Sequence, residues 1–250
     1  MIATMSRRRA PEWLTRWEYA HRGLHSVGAE GVVPENSLAA AEAAIAAGLG
    51  IECDIQRSAD GLAMVFHDWD LDRLTDGTGA MERLSAEDIA HLRLHGSAES
   101  PARLEALLEL VRGRVPILVE LKSKPGYDIE KTCQGVRRAI SSYDGLIAIM
   151  SFDPRVSSWV RQHAPELVCG LVMREDKYGY TQTEAERGAA LREAEPDFLA
   201  YHVLALPNER VARLRDDGMP ILTWTVDSLE TRALALAHAD ALVSEGEGLA

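Results

Sequence analysis

Cysteine is scarce in this sequence, and long apolar runs are absent from it. The 250 residues include three Cys and no Cys-x-x-Cys pair, which argues against a disulfide framework and against a cysteine-ligated zinc site. Isolated cysteines fit a reducing compartment. No stretch reaches the roughly 18 apolar residues that a membrane-spanning helix needs. We therefore expect a cytoplasmic protein without such a helix.

An export signal is also lacking, although the first residues invite the comparison. Arg7, Arg8 and Arg9 could begin a twin-arginine signal. Such a signal continues with an apolar run and a small-residue cleavage site. Charged residues, among them Glu12 and Glu18, stand there instead. We expect residues 1–18 to be an N-terminal cover segment.

Basic residues are in the minority. Lys and Arg total 27 against 39 Asp and Glu, which gives a formal net charge of −12. Nucleic acid and anionic membranes both require a basic face, so we expect neither nucleic-acid binding nor stable membrane association. A small-molecule partner and a homo-oligomer are both compatible with the composition. An anionic substrate would need positive charge supplied locally by its site.

The whole chain alternates short apolar runs with longer amphipathic stretches, which is typical of parallel βα units. About 250 residues is the usual size of one (β/α)₈ TIM barrel, and no Gly/Ser-rich or Pro-rich linker divides the sequence. We therefore predict a single domain over residues 1–250. The predicted strands cover residues 19–22, 50–56, 116–122, 146–151, 167–173, 197–202, 221–226 and 240–244. The predicted helices cover residues 37–47, 102–112, 128–141, 155–163, 183–193, 208–216 and 228–237.

A ninth strand-like run, residues 62–67, does not fit a simple count. It follows the second strand too closely for a parallel crossover, which takes a dozen residues or more. Ala59-Asp60-Gly61 is a hairpin-turn signal. The run should therefore be a small antiparallel β-hairpin on the second strand, which leaves eight strands for an α/β (β/α)₈ TIM barrel.

Polar residues end several of these apolar runs. In a TIM barrel such residues meet at the C-terminal face, where active sites lie. Because strand side chains alternate, Glu52 and Asp54 share one face of their strand, and Glu120 and Lys122 likewise share one face of theirs. The strand ends and the hairpin end carry His21, Arg22, Glu52, Asp54, His67, Glu120 and Lys122.

Three carboxylates at this face suit a hard divalent cation, Mg²⁺ or Ca²⁺, rather than zinc. Buried Arg/Lys–carboxylate pairs that tie strands together would be the purely structural alternative. With one cation, Arg22 and Lys122, the site would carry one net positive charge. That charge suits a phosphodiester and explains how an acidic protein could hold an anion. His21 and His67 would then serve as general acid and base, in an order left open.

The run from His21 to Gly79 resembles the glycerophosphodiester phosphodiesterase family. It contains the segments HRG, PENS, E-x-D, DG and HD-x-x-L-x-R-x-T in family order, and LEALLEL, VELK, SFDP and TWTV follow. The resemblance implies a TIM barrel that hydrolyses glycerophosphodiesters to an alcohol and sn-glycerol 3-phosphate, by water attack or through a cyclic phosphate. It also implies a role for each matching residue: His21 and His67 as acid/base, Arg22 and Lys122 as phosphate contacts, Glu52, Asp54 and Glu120 as metal ligands, Glu35 and Asn36 at the site's edge, and Trp224 in the alcohol pocket.

The resemblance weakens at the end of the chain. Family members often end in ITD-x-P, whereas this sequence reads Ser244-Glu245-Gly246-Glu247. We expect this change to affect the last loop and the choice of substrate, and no metal or acid/base position.

Two other activities are compatible with the sequence. One is a phosphodiesterase acting on lysophospholipids or other diesters, and the other is a non-catalytic phosphate-binding barrel. Outside these motifs, His202 ends a strand at the predicted site face and could line the pocket. His91 and His95, four apart, are read as the solvated face of a helix.

Overall fold

The fold is described from a computed structural model, which covers residues 10–28, 31–176 and 181–249. Eight strands pair in parallel and close into a ring, because the first barrel strand pairs with both the second and the last. The predicted TIM barrel is confirmed. In chain order the described strands are β1 (Tyr19–Ala20), β2 (Ser26–Gly28), β3 (Gly31–Val33), β4 (Gly50–Arg57), β5 (Ala63–Val65), β6 (Ile117–Leu121), β7 (Ile147–Ser151), β8 (Val168–Met173), β9 (Phe198–His202), β10 (Ile221–Val226) and β11 (Ala241–Ser244).

Three of these strands lie outside the ring. β2 and β3 form a separate antiparallel pair in the first loop at the C-terminal face. β5 pairs antiparallel with β4, with Val65 opposite Ile55. The predicted hairpin on the second barrel strand is therefore confirmed, and it turns at Gly61, whose φ of 84° suits glycine.

Helices cover the outside of the barrel at each of the seven predicted places. The first begins at Leu38, and the hydroxyl of the preceding Ser37 accepts the amide of Ala40, as expected for an N-cap. Among the described residues, no helix is long and apolar enough to cross a bilayer. The helices are α1 (Leu38–Ala46), α2 (Ala86–Ala90), α3 (Leu104–Val111), α4 (Ile129–Ile140), α5 (Pro154–His163), α6 (Glu184–Ala194), α7 (Glu209–Asp216) and α8 (Leu229–His238).

The helical reading of His91 and His95 was wrong. α2 ends at Ala90, with His91 as its C-cap, and His95 lies in the turn beyond it. Both side chains are exposed to solvent, as expected.

The apolar core has an inner and an outer layer because strand side chains alternate. Cys53 packs in the outer layer between strands and helices. The inner layer contains Phe198 and Ala241, which open their strands, and also Leu14 from the N-terminal segment. Leu14 is fully buried, and the hydroxyl of Tyr19 donates to its carbonyl at 3.0 Å. The base of the barrel is thus filled, and the C-terminal face is left for polar groups.

Candidate active site

Three buried carboxylates converge at the C-terminal ends of β4 and β6. Glu52 and Asp54 share one face of β4, and Asp54 stands beside Glu120 in the strand register. One ligand oxygen from each carboxylate lies within 4.8 Å of the others. These residues therefore form an acidic triad, defined here as Glu52, Asp54 and Glu120, and the triad could hold a metal ion.

The pKa values of Glu52 and Asp54, two carboxylates of the acidic triad, shift in opposite directions. Burial raises the pKa of Glu52 well above its usual range, and the charges of Asp54 and Glu120 raise it further. Burial also acts to raise the pKa of Asp54, but the nearby charges of Lys122, His67 and Arg22 outweigh burial and lower it. Burying these carboxylates side by side is unfavourable unless positive charge compensates them. The donor set therefore fits a divalent cation.

Lys122 and Arg22 supply the fixed positive charge. The buried Nζ of Lys122 lies 2.7 Å from Asp54 Oδ1 and 2.7 Å from Glu120 Oε1. Burial lowers the pKa of Lys122, but the two carboxylates raise it more, so the ammonium stays charged. Arg22 Nε lies 3.4 Å from Asp54 Oδ2 and is buried with no hydrogen-bond partner among the described residues. That donor is available to an anionic ligand.

Glu35 and Asn36 lie against the same centre. Asn36 donates from Nδ2 to Asp54 Oδ2 at 2.9 Å and accepts the Asp54 amide at 3.1 Å. Glu35 accepts Nη1 of Arg22 at 2.7 Å and also receives two donors of Arg73. Asn36 therefore orients a carboxylate of the triad, and Glu35 orients Arg22.

His21 follows β1 and faces the acidic triad. Its Nε2 lies 3.9 Å from Glu52 Oε2, and its Nδ1 lies 2.6 Å from Glu245 Oε2. Hydrogen bonds to His21 and His25 are the main cause that lowers the pKa of Glu245. The expectation that the divergent C-terminal segment touches no acid/base position was therefore wrong, because Glu245 contacts His21 directly.

His67 follows β5 and has a similar carboxylate partner. Its Nδ1 lies 2.6 Å from Asp68 Oδ1. Burial acts to raise the pKa of Asp68, but Arg73 and His67 together lower it to about 2. Gln56 donates from Nε2 to the carbonyls of His67 and Asp68 at 3.2 and 3.1 Å. This amide ties the loop after the hairpin to β4, and hence to the acidic triad.

Two cavities open at this face. The first has a volume of about 500 Å³ and is bordered by His67, Glu120 and Lys122. The second has a volume of about 330 Å³ and is bordered by His21, Arg22, His202, Trp224 and Glu245. Arg174 borders both cavities. His67 thus borders the first cavity and His21 the second, and His202 lines the second cavity, as expected.

Trp224 forms a wall of the second cavity. Its ring nitrogen donates to the carbonyl of Ala200 at 3.0 Å. Its ring lies 5.3 Å from Phe152 in an edge-to-face arrangement and 5.0 Å from His202, centroid to centroid. These contacts hold the indole at the cavity edge, where the family resemblance implies a pocket-lining aromatic residue.

Several residues of the site were missed by the sequence reasoning. Gln56 continues the face of Glu52 and Asp54 at the next alternate position, so alternation could have found it. Arg73 lies within the HD-x-x-L-x-R segment, and Arg174 directly follows β8. No local signal pointed to the contact between Glu245 and His21.

Residues 21–244 match the glycerophosphoryl diester phosphodiesterase family. A glycerophosphodiester phosphodiesterase of Caldanaerobacter subterraneus is 29% identical over 209 residues, which cover 79% of this chain and 82% of that protein.

Solved structures share the fold. A phosphodiesterase of Oleispira antarctica, in complex with the product sn-glycerol-3-phosphate, is 23% identical with a TM-score of 0.77, covering 91% of this chain and 92% of that one. A glycerophosphodiester phosphodiesterase of Agrobacterium tumefaciens is 23% identical with a TM-score of 0.70, covering 93% and 97%. Because the family match spans nearly the whole chain, including both histidines and the acidic triad, the chain belongs to the glycerophosphoryl diester phosphodiesterase family.

Proposed function

We propose that this enzyme hydrolyses glycerophosphodiesters to an alcohol and sn-glycerol 3-phosphate. The observation that carries the proposal is a buried triad of carboxylates flanked by two histidines, each with a carboxylate on its Nδ1. The names of the relatives support the same reaction, and the related Oleispira antarctica enzyme was solved with that product.

Glu52, Asp54 and Glu120 would hold one divalent cation. Oxygen ligands without sulfur or imidazole favour Mg²⁺ or Ca²⁺. When bound, the cation would polarise a phosphoryl oxygen and stabilise the charge that develops on it. The triad carries three negative charges, and Arg22 and Lys122 together carry two positive charges. A divalent cation would therefore give the site one net positive charge. A phosphodiester carries one negative charge and matches it.

Arg22 and Lys122 would bind the phosphoryl group. The Nε of Arg22 makes no hydrogen bond among the described residues and could donate to a phosphoryl oxygen, while Glu35 holds the Nη1 end of the guanidinium. Lys122 is anchored by two carboxylates of the triad and offers a fixed positive charge at the edge of the first cavity. Preorganised donors of this kind stabilise the transition state without reorganisation.

His21 and His67 would transfer the protons. One histidine accepts the proton of the attacking hydroxyl, which belongs either to water or to a neighbouring substrate hydroxyl. The other donates a proton to the alkoxide that leaves as the P–O bond breaks. Glu245 and Asp68 bind the Nδ1 atoms and so leave each Nε2 for this work.

The remaining assignments concern the alcohol and the cell. Trp224 would line the pocket for the alcohol. We place the protein in the cytoplasm because Cys53, Cys133 and Cys169 are all free and buried. The chain would act as a single domain, with Leu14 and its neighbours closing the barrel base.

The direct test is to incubate the purified protein with several glycerophosphodiesters and, separately, with lysophosphatidylcholine. The sn-glycerol 3-phosphate released from the diesters is measured with a coupled dehydrogenase, and the choline released from the lysolipid is measured with choline oxidase. We expect release from the water-soluble diesters. Apart from Leu204, most groups at the second cavity are polar or charged, so we expect little turnover of the lysolipid. Absence of release from every diester would overturn the proposal.

Glu245 provides a prediction about His21. Changing Glu245→Gln removes the charge that fixes the Nδ1 proton of His21. We expect kcat to fall about tenfold or more, a part of the 10²–10⁴-fold that general acid–base catalysis provides, with KM nearly unchanged. Glu245→Asp should retain part of the rate. Steady-state kinetics on one diester checks this, with Glu247→Gln as the matched control, and an unchanged kcat in Glu245→Gln would contradict it.

A further inference from the structure

We propose that the preferred substrate has a leaving alcohol without positive charge, a polyol or an anionic alcohol, and that Arg174 enforces this choice. The inference rests on the proposed function and names the substrate class of the same site. It is drawn from two aromatic rings that border the cavities and from the protein cations that lie over those rings.

The first ring is that of Trp224 in the second cavity. The guanidinium carbon of Arg174 lies 5.6 Å from the centroid of this ring. Phe152 and His202 contact the same indole from other directions. Arg174 borders both cavities, so a ligand that crosses between them passes its guanidinium.

The second ring is that of Trp69 in the first cavity. The Nζ of Lys124 lies 4.2 Å from its centroid, and Tyr127 contacts the ring edge-to-face at 5.2 Å. Lys124 also pairs with Glu82 at 3.2 Å. Both indoles at the site therefore already carry a cation that belongs to the protein.

This arrangement is unfavourable for a cationic alcohol. A quaternary ammonium group is recognised by open aromatic faces, where the ring quadrupole attracts the charge. Here a choline group would have to displace a protein cation or approach beside it, and like charges repel. A neutral polyol avoids this repulsion, and an anionic alcohol is attracted by the positive charge of the guanidinium.

The position of Arg174 is maintained by the start of the loop after β8. Its side chain pairs with Asp176, with Nε 2.6 Å from Oδ1, and its carbonyl accepts the Thr181 hydroxyl at 2.7 Å. The next residue, Glu175, accepts the Asn208 amide at 2.8 Å and pairs with Arg187 at 3.2 Å. The guanidinium is thus held over Trp224 by a braced segment.

Carboxylates that border the cavities could attract a cation, but those that are not exposed are already engaged. Glu120 contacts Lys122. Glu245 contacts His21 and His25, and Asp68 contacts His67 and Arg73. Solvent and salt screen the charges of exposed groups. The exposed carboxylates at the cavities are Asp70, Asp72 and Asp227.

The test compares three diesters of sn-glycerol 3-phosphate under one set of conditions. They are glycerophosphocholine, its neutral carbon isostere with a 3,3-dimethylbutyl group, and glycerophosphoglycerol. Choline and the isostere have the same shape and differ in charge. We expect kcat/KM for the isostere and for glycerophosphoglycerol to exceed that for glycerophosphocholine by about tenfold.

The variant Arg174→Met removes the charge and keeps most of the side-chain length. We expect it to bring the ratio of kcat/KM for the isostere to kcat/KM for glycerophosphocholine within about threefold of one. Arg213→Met is the matched control, because Arg213 is 74% exposed on α7, outside both cavities. The control should keep the wild-type ratio.

The outcomes separate this inference from the proposed function. Equal or preferred turnover of glycerophosphocholine by the wild-type protein would overturn the inference and leave the proposed function standing. A ratio unmoved in Arg174→Met would overturn the role of Arg174. No turnover of any of the three diesters would overturn the proposed function, and the inference with it.

Discussion

Replacing His21 or His67 with alanine should lower kcat by on the order of 10²–10⁴-fold, because each change removes a proton-transfer group from the reaction. Each histidine lies at the cavity edge with its Nδ1 bound to a carboxylate. Neither side chain belongs to the apolar core, so we expect both variants to fold. Single-turnover rates on one glycerophosphodiester, with circular dichroism as a check on folding, measure the effect.

His91 and His95 provide matched controls for these variants. Both are exposed and lie outside the two cavities, so alanine at either position should leave kcat within about twofold, as for ordinary surface substitutions. Near-wild-type rates in both His21→Ala and His67→Ala would contradict the acid/base assignment. A loss in only one of them would identify the single essential proton carrier.

Asp54→Asn should weaken binding of the divalent cation by at least about a hundredfold, beyond the loss usual for a residue that only orients a ligand. The change is nearly isosteric and removes one negative charge from the centre of the triad. It also leaves Lys122 with Glu120 as its remaining carboxylate partner among the described residues. We expect activity at micromolar metal to disappear and to return partly at millimolar metal.

Titration calorimetry with Mg²⁺ and Ca²⁺ measures this effect. Asp216→Asn, on an exposed position of α7, is the control and should bind metal as the wild-type protein does. Wild-type metal affinity in Asp54→Asn would show that the triad is a set of structural ion pairs.

Much of the fold could be predicted because it depends on local patterns. The apolar runs of the barrel strands and the amphipathic periods of the helices are readable along the chain. The short distance between residues 56 and 62 excluded a parallel crossover, and the structure contains the antiparallel pairing of β5 with β4. The acidic triad followed from alternation, since Glu52 and Asp54 had to share a face.

The contacts that were missed depend on closure of the barrel. Glu245 reaches His21 because β11 pairs with β1, and 224 residues separate the two side chains in sequence. Arg73 reaches Glu35 between two loops of the C-terminal face. Arg22 and Asn36 adopt φ values of 56° and 58°. Non-glycine residues rarely use this conformation, so it could not be predicted from the residue types.

We expect hydrolysis to require a divalent cation at Glu52, Asp54 and Glu120. The most direct test is to dialyse the protein exhaustively against EDTA, remove the chelator, and measure release of sn-glycerol 3-phosphate before and after adding Mg²⁺ or Ca²⁺. We predict that chelation abolishes release and that about one equivalent of the correct cation restores it. Release that continues unchanged after chelation would show that hydrolysis does not require the cation.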